Sequence, residues 1–268
     1  METLAAARLN AVARNPEAAP KRSLAASGNL VASYRKNGLN PKNRMPSQSA
    51  DLKNRRNAER ARLIARRLAA PAADHARWSA LIEASLRGGF SALEGMIVGF
   101  YWPFQGEFDA RPFVTDLRRR GVRAVLPAVV AKSQPLEFRE WWPGVAMANG
   151  VYDLPVPDGT SLLTPDALLI PALGVGSQGD RLGYGGGYFD RTLAALHPKP
   201  LAVGLAFELS RIATIVPQPH DVLMDFIVTE AGIEAAVAGG LLKLSAEDCR
   251  ARLAALAAER GLPRRQPG

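Results

Sequence analysis

The residues most able to do chemistry lie between 179 and 191, in the run GDRLGYGGGYFDR. Gly183, Gly185, Gly186 and Gly187 leave the backbone free of side chains, so its N–H groups can approach an anion closely. Arg181 and Arg191 bracket them with fixed positive charge, and a helix predicted from Tyr188 would add the positive end of its dipole. This is the chemistry of a phosphate cradle at the carboxyl end of a strand. On spacing alone, a tight strand-to-helix turn accounts for the same glycines. No Gly-Lys-Ser/Thr follows, so the loop is not a Walker A sequence, and Tyr188 stands where a dinucleotide fingerprint needs its third glycine. The three histidines, His75, His197 and His220, lack ligand spacing, and the lone Cys249 rules out an intrachain disulfide.

The elements that must hold this loop follow from periodicity. Arg-, Ala- and Leu-rich residues 52–68 predict a first helix, on which Arg56 and Arg60 share a face. Residues 74–86 predict a second, closed by Gly88 and Gly89. Apolar runs at 96–101, 122–130, 167–171, 201–207 and 226–229 read as buried strands, and 136–141 alternates like a half-buried one. Helices are expected over 111–120, 188–196 and 245–260, the last capped by Ser245. Buried strands alternating with helices predict an α/β fold, a mostly parallel sheet with helices on both faces.

The chain has 268 residues with a net charge of +9, but the charge is unevenly placed. Residues 1–60 hold twelve basic and four acidic side chains; the other 208 hold twenty-two and twenty-one. Residues 1–50, with Pro16, Pro20, Pro41 and Pro46, read as a basic, disordered arm. Residues 51–268 read as one domain with a C-terminal helical extension. Nucleic acid is expected as a partner only through the arm. No apolar run is long enough to span a membrane, and no secretory core is present, so a cytoplasmic protein is expected.

The stretch 181–191, RLGYGGGYFDR, resembles the signature of the 5-formyltetrahydrofolate cyclo-ligase (methenyltetrahydrofolate synthetase) family. Residues 100–109 (FYWPFQGEFD), 125–127 (VLP), 204–208 (GLAFE), 219–221 (PHD) and 228–230 (VTE) resemble further family blocks in the family's order, so the likeness covers about 52–232. It implies a three-layer α/β fold of the sugar-phosphate isomerase and CoA-transferase type. It also implies ATP, Mg²⁺ and a reduced folate, whose formyl oxygen is phosphorylated before the ring closes to 5,10-methenyltetrahydrofolate.

In those terms Arg181, Leu182, Gly183, Tyr184, Gly185, Gly186, Gly187, Tyr188 and Phe189 would wrap the ATP phosphates, with Tyr184 through Tyr188 also touching folate. Arg56 and Arg60 would reach the nucleotide, and Asp190 and Asp221 would hold Mg²⁺. Glu107 would orient the formyl group and pterin, and Trp102 would enclose the pterin. Glu107, Arg181 and Tyr188 are the expected catalytic residues. A first-turn acid and a turn residue are the plain readings of Asp190 and Asp221.

The chain departs from the pattern at Phe189, where a second tyrosine is usual, at residues 152–155 (YDLP) in place of a Glu-Pro, and at Ser210, where a glutamine is common. These departures motivate a rival, a related ATP-using enzyme acting on another substrate, for example in thiamine metabolism. A noncatalytic folate- or nucleotide-binding protein is a second rival. A monomer or weak homodimer is expected.

Overall fold

The computed structural model describes residues 48–263. The basic arm expected over 1–50 therefore lies almost wholly outside the described residues. Helix α1 (Gln48–Leu68) leads into α2 (Ala72–Gly89). Strand β1 (Ile97–Gly99), helix α3 (Arg111–Arg119) and strand β2 (Arg123–Ala128) follow, then β3 (Glu137–Trp141). A hairpin of β4 (Met147–Asn149) and β5 (Pro155–Pro157) precedes β6 (Ala167–Pro171). A two-stranded ribbon, β7 (Gly174–Val175) with β8 (Arg181–Leu182), delivers the glycine loop to α4 (Tyr188–Ala195). The chain closes with β9 (Leu201–Leu205), β10 (Phe226–Thr229), β11 (Gly232–Val237), β12 (Gly240–Leu244) and α5 (Ala246–Glu259).

Eight strands form the main sheet in the order β12-β11-β10-β9-β6-β1-β2-β3. From β10 to β2 every pairing is parallel; β11, β12 and β3 add antiparallel edges. Strands β1, β6, β9 and β10 are buried on both faces because both are covered. Along β6, Ala167 and Leu169 pack with α2, α3 and α5, while Leu168 and Ile170 pack on the opposite face with Leu193 of α4. Along β9, Leu201 and Val203 take the first face and Ala202 the second. This is the expected three-layer arrangement, with the face bearing α4 covered by one helix and loops.

Two expectations shift. Helix α2 runs through Gly88 and Gly89 rather than stopping at them. Its end presses on α5: a Cβ at Gly89 would collide with Ile233 and lie 3.1 Å from Cys249 Sγ. The glycine there answers to packing, not to chain reversal. The hairpin β11–β12 extends the sheet in a stretch where no strand was predicted. The expected Ser245 cap is present, its hydroxyl accepting from Asp248 N at 3.1 Å.

Candidate functional site

Strands β1 and β6 are parallel neighbours at the middle of the sheet, so the segments leaving their carboxyl ends emerge side by side. The first carries Glu107 and the second leads to the glycine loop. This placement brings together residues far apart in sequence.

Glu107 ends a tight turn from Phe104, with Gln105 at φ 48° and Gly106 at φ 74°. Two successive positive φ angles give a reversal that favours glycine, and a non-glycine there costs about 1–2 kcal/mol. The turn is held from outside: Arg67 Nε donates to the Gln105 carbonyl at 2.9 Å, and His75 Nε2 lies 2.9 Å from the Gly106 carbonyl. Glu107 folds back, its Oε2 accepting from Phe104 N at 2.9 Å. Its Oε1 accepts from the Tyr184 hydroxyl at 2.8 Å, and that hydroxyl accepts from Arg67 Nη2 at 2.6 Å. Glu107 is only 7% exposed and Arg67 only 4%. Burial pushes the Glu107 carboxyl above the usual range, opposed by Tyr184, Arg67, the Phe104 N–H and Arg181.

The glycine loop is ringed by arginines. Arg181 is buried at the foot of the loop, with Nη1 donating to the Pro171 carbonyl at 3.3 Å and Nη2 to Asp190 Oδ2 at 3.1 Å. Asp190 Oδ1 accepts from Val222 N at 3.2 Å, which ties α4 to the segment before β10. From α1, Arg56 pairs with Asp221 at 3.1 Å, and Arg60 Nε donates to the Gly183 carbonyl at 2.8 Å. Arg191 Nη2 donates to the Gly186 carbonyl at 2.5 Å and its guanidinium lies 5.1 Å from the Tyr188 ring. Gly185 at φ 97° and Gly187 at φ 65° supply the turns no side chain would favour. The Nε atoms of Arg56, Arg181 and Arg191 are buried without a hydrogen-bond partner. Unmatched cationic donors around a loop of backbone N–H groups suit an anion with many acceptor oxygens.

Several expected residues take more specific positions. Leu182 packs under α1 with Leu63 and Leu173, so its contribution is to anchor the loop. Phe189, in the first turn of α4, faces the Arg181 guanidinium at 5.7 Å and packs half-buried against the core. Trp102 lies beneath Arg111, 4.5 Å from the ring, with Arg111 itself clamped by Asp109. The aromatic that meets Tyr184 is Phe104, at 6.0 Å between rings. Tyr188 reaches Tyr152, hydroxyl to hydroxyl at 3.1 Å; Tyr152 is exposed and holds φ 62°.

Arg67 and the Tyr152 contact were not foreseen. Arg67 had a usable signal, since it follows Arg60 by seven residues and so shares the face of Arg56 and Arg60. Among the described residues no group of three or more His, Cys, Asp or Glu side chains is arranged to hold a metal. Asp190 and Asp221 each already face an arginine, so an ion here needs further oxygens from a ligand.

The geometry can be set beside known proteins. The family model described as "5-formyltetrahydrofolate cyclo-ligase family" matches residues 52–230. The chain belongs to the 5-formyltetrahydrofolate cyclo-ligase family. The protein of that name from Mycolicibacterium smegmatis is 35% identical over 159 residues, which span 54% of this chain and 80% of that protein. Its counterpart in Escherichia coli is 29% identical over 143 residues, 51% of this chain and 79% of that protein. Among solved structures, the Aquifex aeolicus 5,10-methenyltetrahydrofolate synthetase superposes with a TM-score of 0.60 at 22% identity, covering 70% of this chain and 96% of that one. The Mycoplasma pneumoniae synthetase gives 0.55 at 22% identity, covering 65% and 98%. These two likenesses speak for the fold. The family match stops at Glu230, so β11, β12 and α5 lie beyond it. No helix among the described residues is long and apolar enough to cross a membrane.

Proposed function

We propose that this cyclo-ligase family member converts 5-formyltetrahydrofolate to 5,10-methenyltetrahydrofolate with consumption of ATP, using the glycine loop for the nucleotide and Glu107 for the folate. The observation that carries the reading is the 2.8 Å hydrogen bond from Tyr184, inside the loop, to Glu107. It joins a phosphate-type cradle to a buried carboxylate in one site, as a reaction between a phosphoryl donor and a folate requires.

The chemistry divides between the two parts. In the first step the formyl oxygen attacks the γ-phosphorus and ADP departs. N10 then attacks the formyl carbon and loses its proton, and the C–O bond breaks as inorganic phosphate leaves. Arg181, Arg60, Arg56 and the N–H groups of residues 183–187 surround the transferring group with fixed donors, which stabilise its charge without reorganising. Glu107 accepts hydrogen bonds from the folate and holds the formyl group in line, so positioning supplies much of the rate. Tyr188, with Tyr152, lines the folate side of the loop, and Trp102 and Phe104 supply aromatic surface beside Glu107.

Magnesium is part of the same reading. Asp190 and Asp221 would hold it together with phosphate oxygens, the usual way this ion keeps its octahedral shell. Bound there, it would neutralise charge on the triphosphate. Cytoplasmic location and a monomeric or weakly dimeric state are the accompanying expectations.

The test is direct. Purified protein is mixed with ATP, Mg²⁺ and 5-formyltetrahydrofolate, and the methenyl chromophore is followed in the near ultraviolet. Product that requires all three and collapses in Glu107→Ala supports the assignment. Folded protein that binds ATP yet yields no chromophore rejects the folate chemistry and points to another substrate.

A further inference from the structure

We infer that Arg67 is a positioning residue for the reaction, acting through Tyr184 to hold Glu107 as an ionised, correctly aimed acceptor. The inference deepens the reading of Glu107 as the folate-side carboxylate and rests on it.

The argument is one of donor direction. An arginine can only donate, so the Tyr184 oxygen that receives Arg67 Nη2 at 2.6 Å must be an acceptor there. Tyr184 has a single proton left to place, and its remaining partner is Glu107 Oε1 at 2.8 Å. Oε1 is thereby an acceptor, and Oε2 is one also, because it receives Phe104 N at 2.9 Å. Both oxygens receive donors, and each such hydrogen bond favours the ionised carboxylate over the protonated one. Its remaining lone pairs can receive N–H groups of a bound pterin.

Arg67 acts a second way. Its Nε holds the Gln105 carbonyl at 2.9 Å, which pins the positive-φ turn on which Glu107 is mounted. One buried guanidinium thus fixes the orientation of the carboxylate and the polarity of its hydrogen bonds. The other groups facing this cluster are Arg181, which also favours the ionised carboxylate, His75 of α2, whose Nε2 lies 2.9 Å from the Gly106 carbonyl, and Tyr101, whose hydroxyl is turned away to the Phe108 carbonyl at 2.8 Å. Asp109 acts on Tyr101 and is clamped by Arg111. Burial raises the Glu107 carboxyl and Arg67 opposes that rise, so losing the relay moves its titration to higher pH.

The pH profile of kcat/KM for 5-formyltetrahydrofolate, at saturating ATP, reads this out. Arg67→Met and Tyr184→Phe should each move the acid limb upward by about one pH unit, which is about a tenfold loss well below the limb. The double variant should move it by less than the sum of the two single shifts, since both changes act on one relay. Arg67→Lys should restore part of the shift. If Arg67→Met does not fold, Tyr184→Phe alone carries the test, because its ring packing is retained. A uniform loss across pH with the limb unmoved, or shifts that add in the double variant, overturns the relay. Glu107→Gln separates this from the underlying reading: a Glu107→Gln enzyme with undiminished kcat/KM removes the role of Glu107 itself, whereas one impaired about tenfold or more beside unmoved limbs removes only the relay.

Discussion

Around Glu107 both carboxylate oxygens and the Arg67 Nε and Nη2 atoms that hold them have partners; around the glycine loop three buried guanidinium Nε atoms have none. The two regions share a hydrogen bond, yet they are organised in opposite ways. On the Glu107 side the carboxylate and the guanidinium atoms that hold it are paired within the protein, with Gln105 Oε1 left as the unpaired buried atom of the turn, so the aim of the carboxylate is set before anything binds. The loop side carries surplus positive donors and two carboxylates, Asp190 and Asp221, that restrain Arg181 and Arg56. A carboxylate fixed in advance suits a rigid ring system recognised by aim. A charged surround with donors to spare suits a flexible, highly charged triphosphate that completes the network when it arrives.

Separate damage to each side should therefore give separate symptoms. The largest effect is expected from Arg181→Met. It leaves Asp190 without its buried partner, which costs about 3–5 kcal/mol of stability, and kcat falls about a hundredfold or more. Urea unfolding with single-turnover assays at saturating ATP checks both. Glu107→Gln should come next, with kcat/KM for the folate down roughly tenfold to a hundredfold while ATP binding is unchanged. A matching loss of ATP affinity would break the division between the two regions.

Gly185→Ala forces a side chain into φ 97°, with its Cβ 3.2 Å from the Arg60 guanidinium carbon. The strain of about 1–2 kcal/mol should appear as about a tenfold rise in KM for ATP, with folate binding intact. Asp221→Asn should raise the magnesium concentration for half-maximal rate several-fold, in the range of about tenfold seen when a metal site loses a supporting group. An unchanged magnesium titration removes Asp221 from the proposed ion site. Tyr152→Phe loses a single exposed hydroxyl contact, and its effect on folate KM should be no more than about threefold.

The sequence shows the parallel core of the sheet plainly because those strands are continuous apolar runs bounded by glycine and proline, as at residues 167–171 and 226–229. It hides β11 and β12: β11 alternates in burial but is built largely of glycine, alanine and glutamate, and β12 buries only Gly240, so neither carries strong strand propensity. Short ribbons such as β7–β8 depend on tertiary pairing and leave no periodic trace. In the site, the glycine loop, Glu107 and the arginines at 56, 60 and 181 are legible because unusual residue types cluster there. Arg67 shares the helix face of Arg56 and Arg60 by spacing, but in a helix crowded with arginines its burial cannot be read from composition. The ion pairs that occupy Asp190 and Asp221 are equally invisible until the helices and strands are placed.

The contact between α2 and α5 gives the molecule a built-in reporter of opening. Cys249 is the chain's sole cysteine and is fully buried against the glycine end of α2, and that burial pushes its thiol up to about 12. In the closed state there is neither access nor thiolate for a sulfhydryl reagent to meet. Labelling therefore requires an opening that exposes Cys249, and with reclosing faster than the reagent its rate reports the free energy of that opening.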